Sequence, residues 1–188
     1  MILRREDEIL DAVKACLPPE IHRLLELWPS AVVSGGFIRD VISLHPYKDI
    51  DVFGLTGDKA SRAGKWLEKE CGARVIYEEF KTCAFIMVAG PNSDDSAIMW
   101  EEREVQLLHR EVAHFQIENV DMFCCSSWYN YPDLQLTDSA VSGQLGIHNP
   151  GPNTLQRAKT LLRRGWDCSA AELVSAAKVS TLGWDHNS

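Results

Sequence analysis

Residues 34–53, SGGFIRDVISLHPYKDIDVF, decide how this chain is read. Gly35-Gly36 opens a helix-like segment, and twelve residues separate Gly36 from Asp49-Ile50-Asp51, which sits in a run that reads as a strand. Residues i and i+2 of a strand point to one face, so Asp49 and Asp51 project together while Ile50 faces the opposite way. Two neighbouring carboxylates repel, and a fold tolerates that where positive charge sits between them. Mg²⁺ suits such a place, because it is typically held by one or two carboxylates together with substrate phosphates. The glycine pair supplies the complementary half, since a backbone without side chains lets its N–H groups approach a phosphate closely at a helix N-terminus. An isolated D-x-D is most often a pair of solvated charges at a strand end. The upstream glycines and the apolar flanks Ile50, Val52 and Phe53 favour a nucleoside triphosphate and metal site instead.

The remaining composition narrows the class. A chain of 188 residues is one domain, or one domain with a short appendage, and builds a sizeable core. Apolar residues make up 45% and charged residues 24%, an ordinary globular balance. No run of about 18 apolar residues occurs, so no membrane span is expected. The opening MILRREDEILDAV is too charged for the core of a signal peptide. The six cysteines, Cys16, Cys71, Cys83, Cys124, Cys125 and Cys168, lack C-x-x-C spacing, which points to reduced thiols, a cytoplasmic location and no zinc site. The formal net charge of −8 excludes a broad nucleic-acid-binding surface. Any polynucleotide contact is therefore local.

Periodicity and turn signals predict helices over 4–16 and 19–28, parted by Pro18-Pro19, a buried strand at 31–33, and a helix over 37–44. The strand carrying the paired acids runs on to Leu55, and 58–71 forms a helix with Asp58 at its start. Strands follow at 73–79, 82–89, 97–100 and 103–108, with the turn-rich PNSDDS between the second and third. Another strand is expected at 118–123, a helix at 124–129, and two closing helices at 153–165 and 169–182. Residues 1–150 then form a head with N-terminal helices, and 151–188 a helical appendage. Arg157, Lys159, Arg163 and Arg164 stripe one predicted helix, the one basic cluster of an acidic chain. A solvated helix face is the plain reading of that stripe; contact with a triphosphate or an acceptor strand is the functional one. Lys48, directly before the acidic strand, is a further candidate for phosphate contact. Trp128, Tyr129 and Tyr131 offer rings for base stacking, although such aromatics more often belong to a core.

GGFIRD followed by KDIDVF resembles the head signature of the polymerase β nucleotidyltransferase superfamily. Within it, the pattern GG-x-x-RD then D-x-D is that of tRNA nucleotidyltransferases (CCA-adding enzymes) and bacterial poly(A) polymerases. REVQLL at 103–108 resembles the strand that supplies the family's third carboxylate, which places that role on Glu104. NVDMFCCSSWY at 119–129 resembles the DFT-x-N-A segment and puts Asp121 at the family's aspartate, a second choice for the third acid. LQRAKTLLRRGW at 155–166 resembles the arginine-rich helix that follows the head. In size and layout the chain is also similar to small phage and prophage nucleotidyltransferases.

The resemblance implies an α+β, polymerase β-like head with a mixed, mostly antiparallel sheet and a helical, neck-like C-terminal appendage. It implies an enzyme that moves a nucleoside monophosphate from ATP or CTP to a hydroxyl, most often an RNA 3′ end as in tRNA processing. Two Mg²⁺ ions, or Mn²⁺ in their place, serve such chemistry when held about 3.5–4 Å apart. Asp49, Asp51 and Glu104 would hold them. Gly35, Gly36, Arg39, Asp40, Lys48, Arg157 and Arg164 would bind the nucleotide, with Arg39 forking onto phosphate oxygens. A protein acceptor of the toxin–antitoxin kind and a catalytically inactive binding head are the alternatives. The chain departs from the family where an E-D-x-x-R motif reads the base: Asn153-Thr154-Leu155-Gln156-Arg157 keeps the arginine and lacks both acids. Glu118-Asn119 likewise stands where the family has two arginines.

Overall fold

The computed structural model describes residues 2–3, 5–89, 100–110 and 120–182. Two amphipathic helices, α1 (Glu6–Cys16) and α2 (Pro19–Leu27), open the chain. Leu17 is extended because it precedes a proline, and Pro19 takes the first helical position of α2, where its missing N–H is not needed. There follow β1 (Val32–Ser34), α3 (Gly36–Ile42), β2 (Asp49–Phe53), α4 (Asp58–Cys71), β3 (Arg74–Tyr77), β4 (Lys81–Ala89) and β5 (Trp100–Leu108). A 3₁₀ turn at Phe123–Cys125 leads into β6 (Trp128–Asn130), β7 (Asp133–Gln135), α5 (Asp138–Ser142), α6 (Thr154–Arg163) and α7 (Ala170–Leu182).

The strands form one seven-stranded sheet in the order β3-β4-β5-β2-β1-β6-β7. Every pairing is antiparallel except β2 with β5. The architecture is therefore α+β with a mixed, mostly antiparallel sheet, as expected. Ile50 and Val52 on β2 and Val105 and Leu107 on β5 are fully buried, packed with Ile9 and Val13 of α1, Phe37 and Ile38 of α3 and Leu67 of α4. Period-two alternation then sends Asp49, Asp51, Glu104 and Gln106 to the opposite face, where they are only partly buried. Burial of one face thus fixes which side of the sheet carries the acids. Ala158, Leu161 and Trp166 join the same core, and Leu145 N–H donates to the Asp167 carbonyl at 2.8 Å, which ties the helical end to the segment after α5.

Some local expectations change. The separate strands at 97–100 and 103–108 give way to β5, continuous from Trp100 to Leu108; residues 97–99 and the PNSDDS turn lie outside the described residues. Of the strand expected at 118–123, residues 118–119 lie outside the described residues, and Met122 makes an isolated bridge to Ile147. The helix expected at 124–129 is instead the 3₁₀ turn running into β6. Ser126 and Ser127 are weak helix formers, and Trp128 and Tyr129 fit a pleated surface, where they pair with Ser34 and Val33 of β1. The short helix α5 was not foreseen; Thr137 caps it by accepting from Ala140 N–H at 3.2 Å. Among the described residues, no helix is long and apolar enough to cross a membrane.

Candidate active site

Strand β1 ends against Gly35, whose backbone (φ 82, ψ −140) suits glycine alone. A Cβ there would meet Asp51 Oδ2 at 2.9 Å, so the Asp51 carboxylate rests against bare backbone. At Gly36 a Cβ would lie 3.2 Å from Arg39 Nη2. The glycine pair therefore brings the helix α3 N-terminus directly beside the D-x-D strand.

Strand register completes the acidic face. Asp49 lies opposite Glu104 and Asp51 opposite Gln106 in the parallel β2–β5 pair, and Gln106 Nε2 donates to Glu104 Oε1 at 3.0 Å. Burial raises the Asp51 carboxyl from its ordinary 3.8 to about 6, helped by the charges of Asp49 and Glu104 and opposed by Lys81. Lys81 was not picked out from the sequence. It is the first residue of β4, and although burial works to lower its pKa, Cys83, Glu78 and Glu104 hold it above the usual lysine value. Period two along Lys81-Thr82-Cys83 was the signal available, with Thr82 buried on the other face.

Neighbouring acids are distinguished by their partners. Glu102 shares the parity of Glu104 but pairs with Arg74 at 3.1 Å, and Glu101 binds Arg103. Asp121 is held by α6: Arg157 Nη1 donates to both of its oxygens at 2.7 Å, and Thr154 Oγ1 donates to Oδ2 at 2.9 Å. Thr154 is buried and supports an aspartate supplied from elsewhere in the chain, while Asn153 is exposed.

Arg39 is a second anchor. Its Nε and Nη2 donate to Asp40 Oδ1 at 2.9 and 2.7 Å, and its Nη1 to Cys125 Sγ at 3.4 Å. Arg164 Nη1 donates to the same Asp40 oxygen at 3.1 Å, linking α6 to α3. Burial opposes the charge of Arg39, but Cys125 and Asp40 more than reverse that and its pKa is raised. Arg39 and Asp40 are therefore engaged with each other rather than splayed toward solvent. Arg163 and Lys48 are exposed. Tyr129 is fully buried and belongs to the core, whereas Tyr131 is exposed and edges onto His22.

The residues fit a hard divalent cation on two grounds. Asp49, Asp51 and Glu104 share one face of β2 and β5, and the charges of Asp49 and Glu104 add to burial in raising the Asp51 carboxyl, a repulsion that a cation would relieve. Among the described residues, no three Asp, Glu, His or Cys side chains are gathered closely enough to hold a metal ion, so Asp49, Asp51 and Glu104 are brought to one face of the sheet but not into a ligand cluster. A separate apolar cavity of about 820 Å³ lies between α1, α2 and the loop after α3, lined by Leu17, Val41, Tyr47 and Arg103 among others, and none of the three acids borders it.

No protein-family model matches the chain, and no curated protein matches it in sequence. Solved structures do share the fold. A Thermotoga maritima CCA-adding enzyme complexed with tRNA superposes with a TM-score of 0.60 at 15% identity, over 95% of this chain and 46% of that one. A CCA-adding enzyme in complex with ATP gives a TM-score of 0.61 at 15% identity, over 98% and 47%. A tRNA-processing enzyme in an apo form gives 0.57 at 16% identity, over 89% and 48%. The chain spans about half the length of each of these structures. What is shared is architecture: this chain has the α+β, polymerase β-like fold of the CCA-adding enzyme head.

Proposed function

We propose that this protein is a divalent-metal-dependent nucleotidyltransferase that moves a nucleoside monophosphate from an NTP to a hydroxyl, with an RNA 3′ end as acceptor. The observation that carries the proposal is the register of β2 on β5, which sets Glu104 beside the Asp49–Asp51 pair against the Gly35 backbone. Similar structures were solved with tRNA, CTP and ATP, which supports an NTP and an RNA as the partners. Asp49, Asp51 and Glu104 would hold Mg²⁺ (two ions, with Mn²⁺ as a substitute), which supplies polarisation of the α-phosphate, activation of the hydroxyl and neutralisation of the leaving pyrophosphate. Gly35 and Gly36 open backbone N–H groups to the triphosphate at the start of α3. Arg39, held by Asp40, and Arg157 and Arg164 from α6 would bring positive charge to the phosphates. Lys48, exposed before β2, would add to this from the rim. Asp121 would orient Arg157. Residues 1–150 would form the head and 151–188 a neck-like segment whose α6 completes the nucleotide pocket.

The test is incubation of the purified chain with each labelled NTP, Mg²⁺ and mixed cellular RNA and protein. Label in RNA is the expected result. Label in protein instead would move the acceptor to a side chain, and NTP binding with no transfer would make the head a binding module.

Glu104→Gln should lower turnover about 100-fold, near 2.7 kcal/mol at 1.36 kcal/mol per decade. Glu102→Gln and Glu101→Gln should change it less than about threefold, because Arg74 and Arg103 hold those acids elsewhere. Equal effects at all three positions would remove Glu104 from the site.

Base choice should be relaxed. With Asn153 exposed and Thr154 turned to Asp121, the pocket lacks two acids that would leave a wrong base with unpaired buried groups. A tRNA lacking its 3′ end should therefore receive no ordered C-C-A. Clean C-C-A synthesis by the purified chain alone would overturn this.

A further inference from the structure

The nucleotide reading makes no use of the sheet surface that adjoins the acids. Strand register draws one row across four strands: Asp49 of β2 lies opposite Glu104 of β5, Glu104 opposite Phe85 of β4, and Phe85 opposite Arg74 of β3. Directly paired residues share a face, so Phe85 and Arg74 continue the acidic face outward, while Ala84 and Ile86 are buried on the other side. Neighbouring strands lie about 4.8 Å apart, which puts Phe85 one strand and Arg74 two strands from Glu104. The central carbon of the Arg74 guanidinium sits 3.9 Å from the centre of the half-buried Phe85 ring, and Arg74 Nη2 donates to Glu102 Oε2 at 3.1 Å. The guanidinium is laid on the ring and held by a carboxylate, yet the Arg74 side chain remains 56% exposed. Ile76 and Met87, on the same face, are exposed as well. Apolar side chains and a ring–guanidinium stack therefore face outward beside the candidate catalytic acids, where a sheet ordinarily covers its apolar face with another layer.

We infer that the Arg74–Phe85 stack is the platform for the single-stranded 3′ end of an RNA acceptor, with one of its last two bases stacked on the outer face of the guanidinium. Three observations choose this occupant. The row runs into the acids, so a strand lying along it brings its terminal hydroxyl to Glu104 and the Asp49–Asp51 pair. Guanidinium planes and aromatic rings are the surfaces on which splayed RNA bases stack, and here one is already laid on the other. The net charge of −8, with Glu102 and Glu104 on this very face, disfavours a grip on phosphates. Stacking on the π-face of a base needs no excess of positive charge. Since every base has such a face, the platform holds an acceptor end with little regard to its sequence.

This inference rests on the nucleotidyltransferase reading above, and its test separates the two. Binding of a fluorescent single-stranded oligoribonucleotide with a free 3′-hydroxyl to the full chain is followed by anisotropy in Mg²⁺ without nucleotide. The same strand carrying 4-thiouridine at its last or next-to-last position is photo-cross-linked, and the attachment is expected within residues 74–87. Arg74→Ala and Phe85→Leu should each weaken the oligonucleotide about tenfold and leave Mg-ATP affinity within about twofold, whereas Arg62→Ala, at an exposed arginine of α4, should change neither. Arg74→Lys should not restore binding, because it keeps the charge and loses the plane. Removing the base at one of the last two positions should cost the natural chain about the same tenfold and cost Arg74→Ala nothing further. That arm uses the natural chain, so a Phe85→Leu chain that fails to fold does not end the test. Affinity unmoved in the variants, binding restored by Arg74→Lys, or a cross-link away from β3 and β4 overturns the platform, even where label still enters RNA and nucleotidyl transfer stands. A mapped cross-link with the tenfold losses, in a chain that transfers no label, keeps the platform and removes the enzyme. If the oligonucleotide does not bind and label enters protein, the platform and the RNA acceptor fall together while the transfer chemistry remains.

Discussion

In Asp51→Asn, nucleotidyl transfer should fall by about 10³-fold or more while the folded chain gains thermal stability in metal-free buffer. The activity loss follows from removing a carboxylate that shares the sheet face with Asp49 and Glu104, where charge stabilisation is worth several kcal/mol. The stability gain follows from the sign of the Asp51 shift. Its carboxyl titrates at about 6 in the fold instead of 3.8, so between these values the folded chain binds the extra proton. The Asp51 contribution is therefore most favourable below pH 4, is lost as pH rises toward 6, and carries the full penalty above that. The penalty is about 3 kcal/mol. The asparagine removes it, so the difference in melting temperature between variant and natural chain should open between pH 4 and 6 and persist above. Added Mg²⁺ should stabilise the natural chain at pH 7.5 and leave the variant nearly unmoved. Near-normal turnover of Asp51→Asn in Mg²⁺ would end the metal-site reading, and so would a melting temperature indifferent to Mg²⁺ in both proteins.

Asp40→Ala should cost about 3–5 kcal/mol of stability, the largest structural effect expected of one substitution in the site. Asp40 is 6% exposed and receives Arg39 and Arg164 on the same oxygen. Without it, Arg39, itself 12% exposed at the side chain, keeps its charge in a buried position with Cys125 as its remaining acceptor. For a chain of this size the loss corresponds to roughly 10 °C in melting temperature. Asp40→Asn should fall between, since it keeps an acceptor and loses the charge. A loss below about 1 kcal/mol in Asp40→Ala would show the pair to behave like a surface ion pair. It would also remove the link by which α3 and α6 are held across the site.

Much of this fold was legible because the decisive signals are local. Gly35-Gly36 before a helix and Asp49-x-Asp51 in a strand can be read from spacing, since a strand alternates every second residue whatever surrounds it. The ends of α1 and α2 were equally plain, because proline restricts its own residue and the one before it. The reading slipped at 124–129, where local preference was divided. There the pairing of Trp128 and Tyr129 with β1, nearly a hundred residues earlier, decided for strand.

The sequence by itself determined that two acids share one face beside a glycine-opened helix. Only the tertiary structure decided which acids and cations meet. The resemblance put the third acid at Glu104, and strand register sets Glu104 opposite Asp49, while Glu102 and Glu101 are drawn to Arg74 and Arg103. The resemblance makes Asp121 a second choice for the third acid, and in the fold it is held by Arg157 and Thr154 of α6. Asp40 meets Arg164, and Cys125 meets both Arg39 and Arg157, across separations that no period or spacing encodes. The physical reason is range: backbone geometry and side-chain alternation act within a few residues, whereas charge pairing acts through space and waits for the core to bring its partners together.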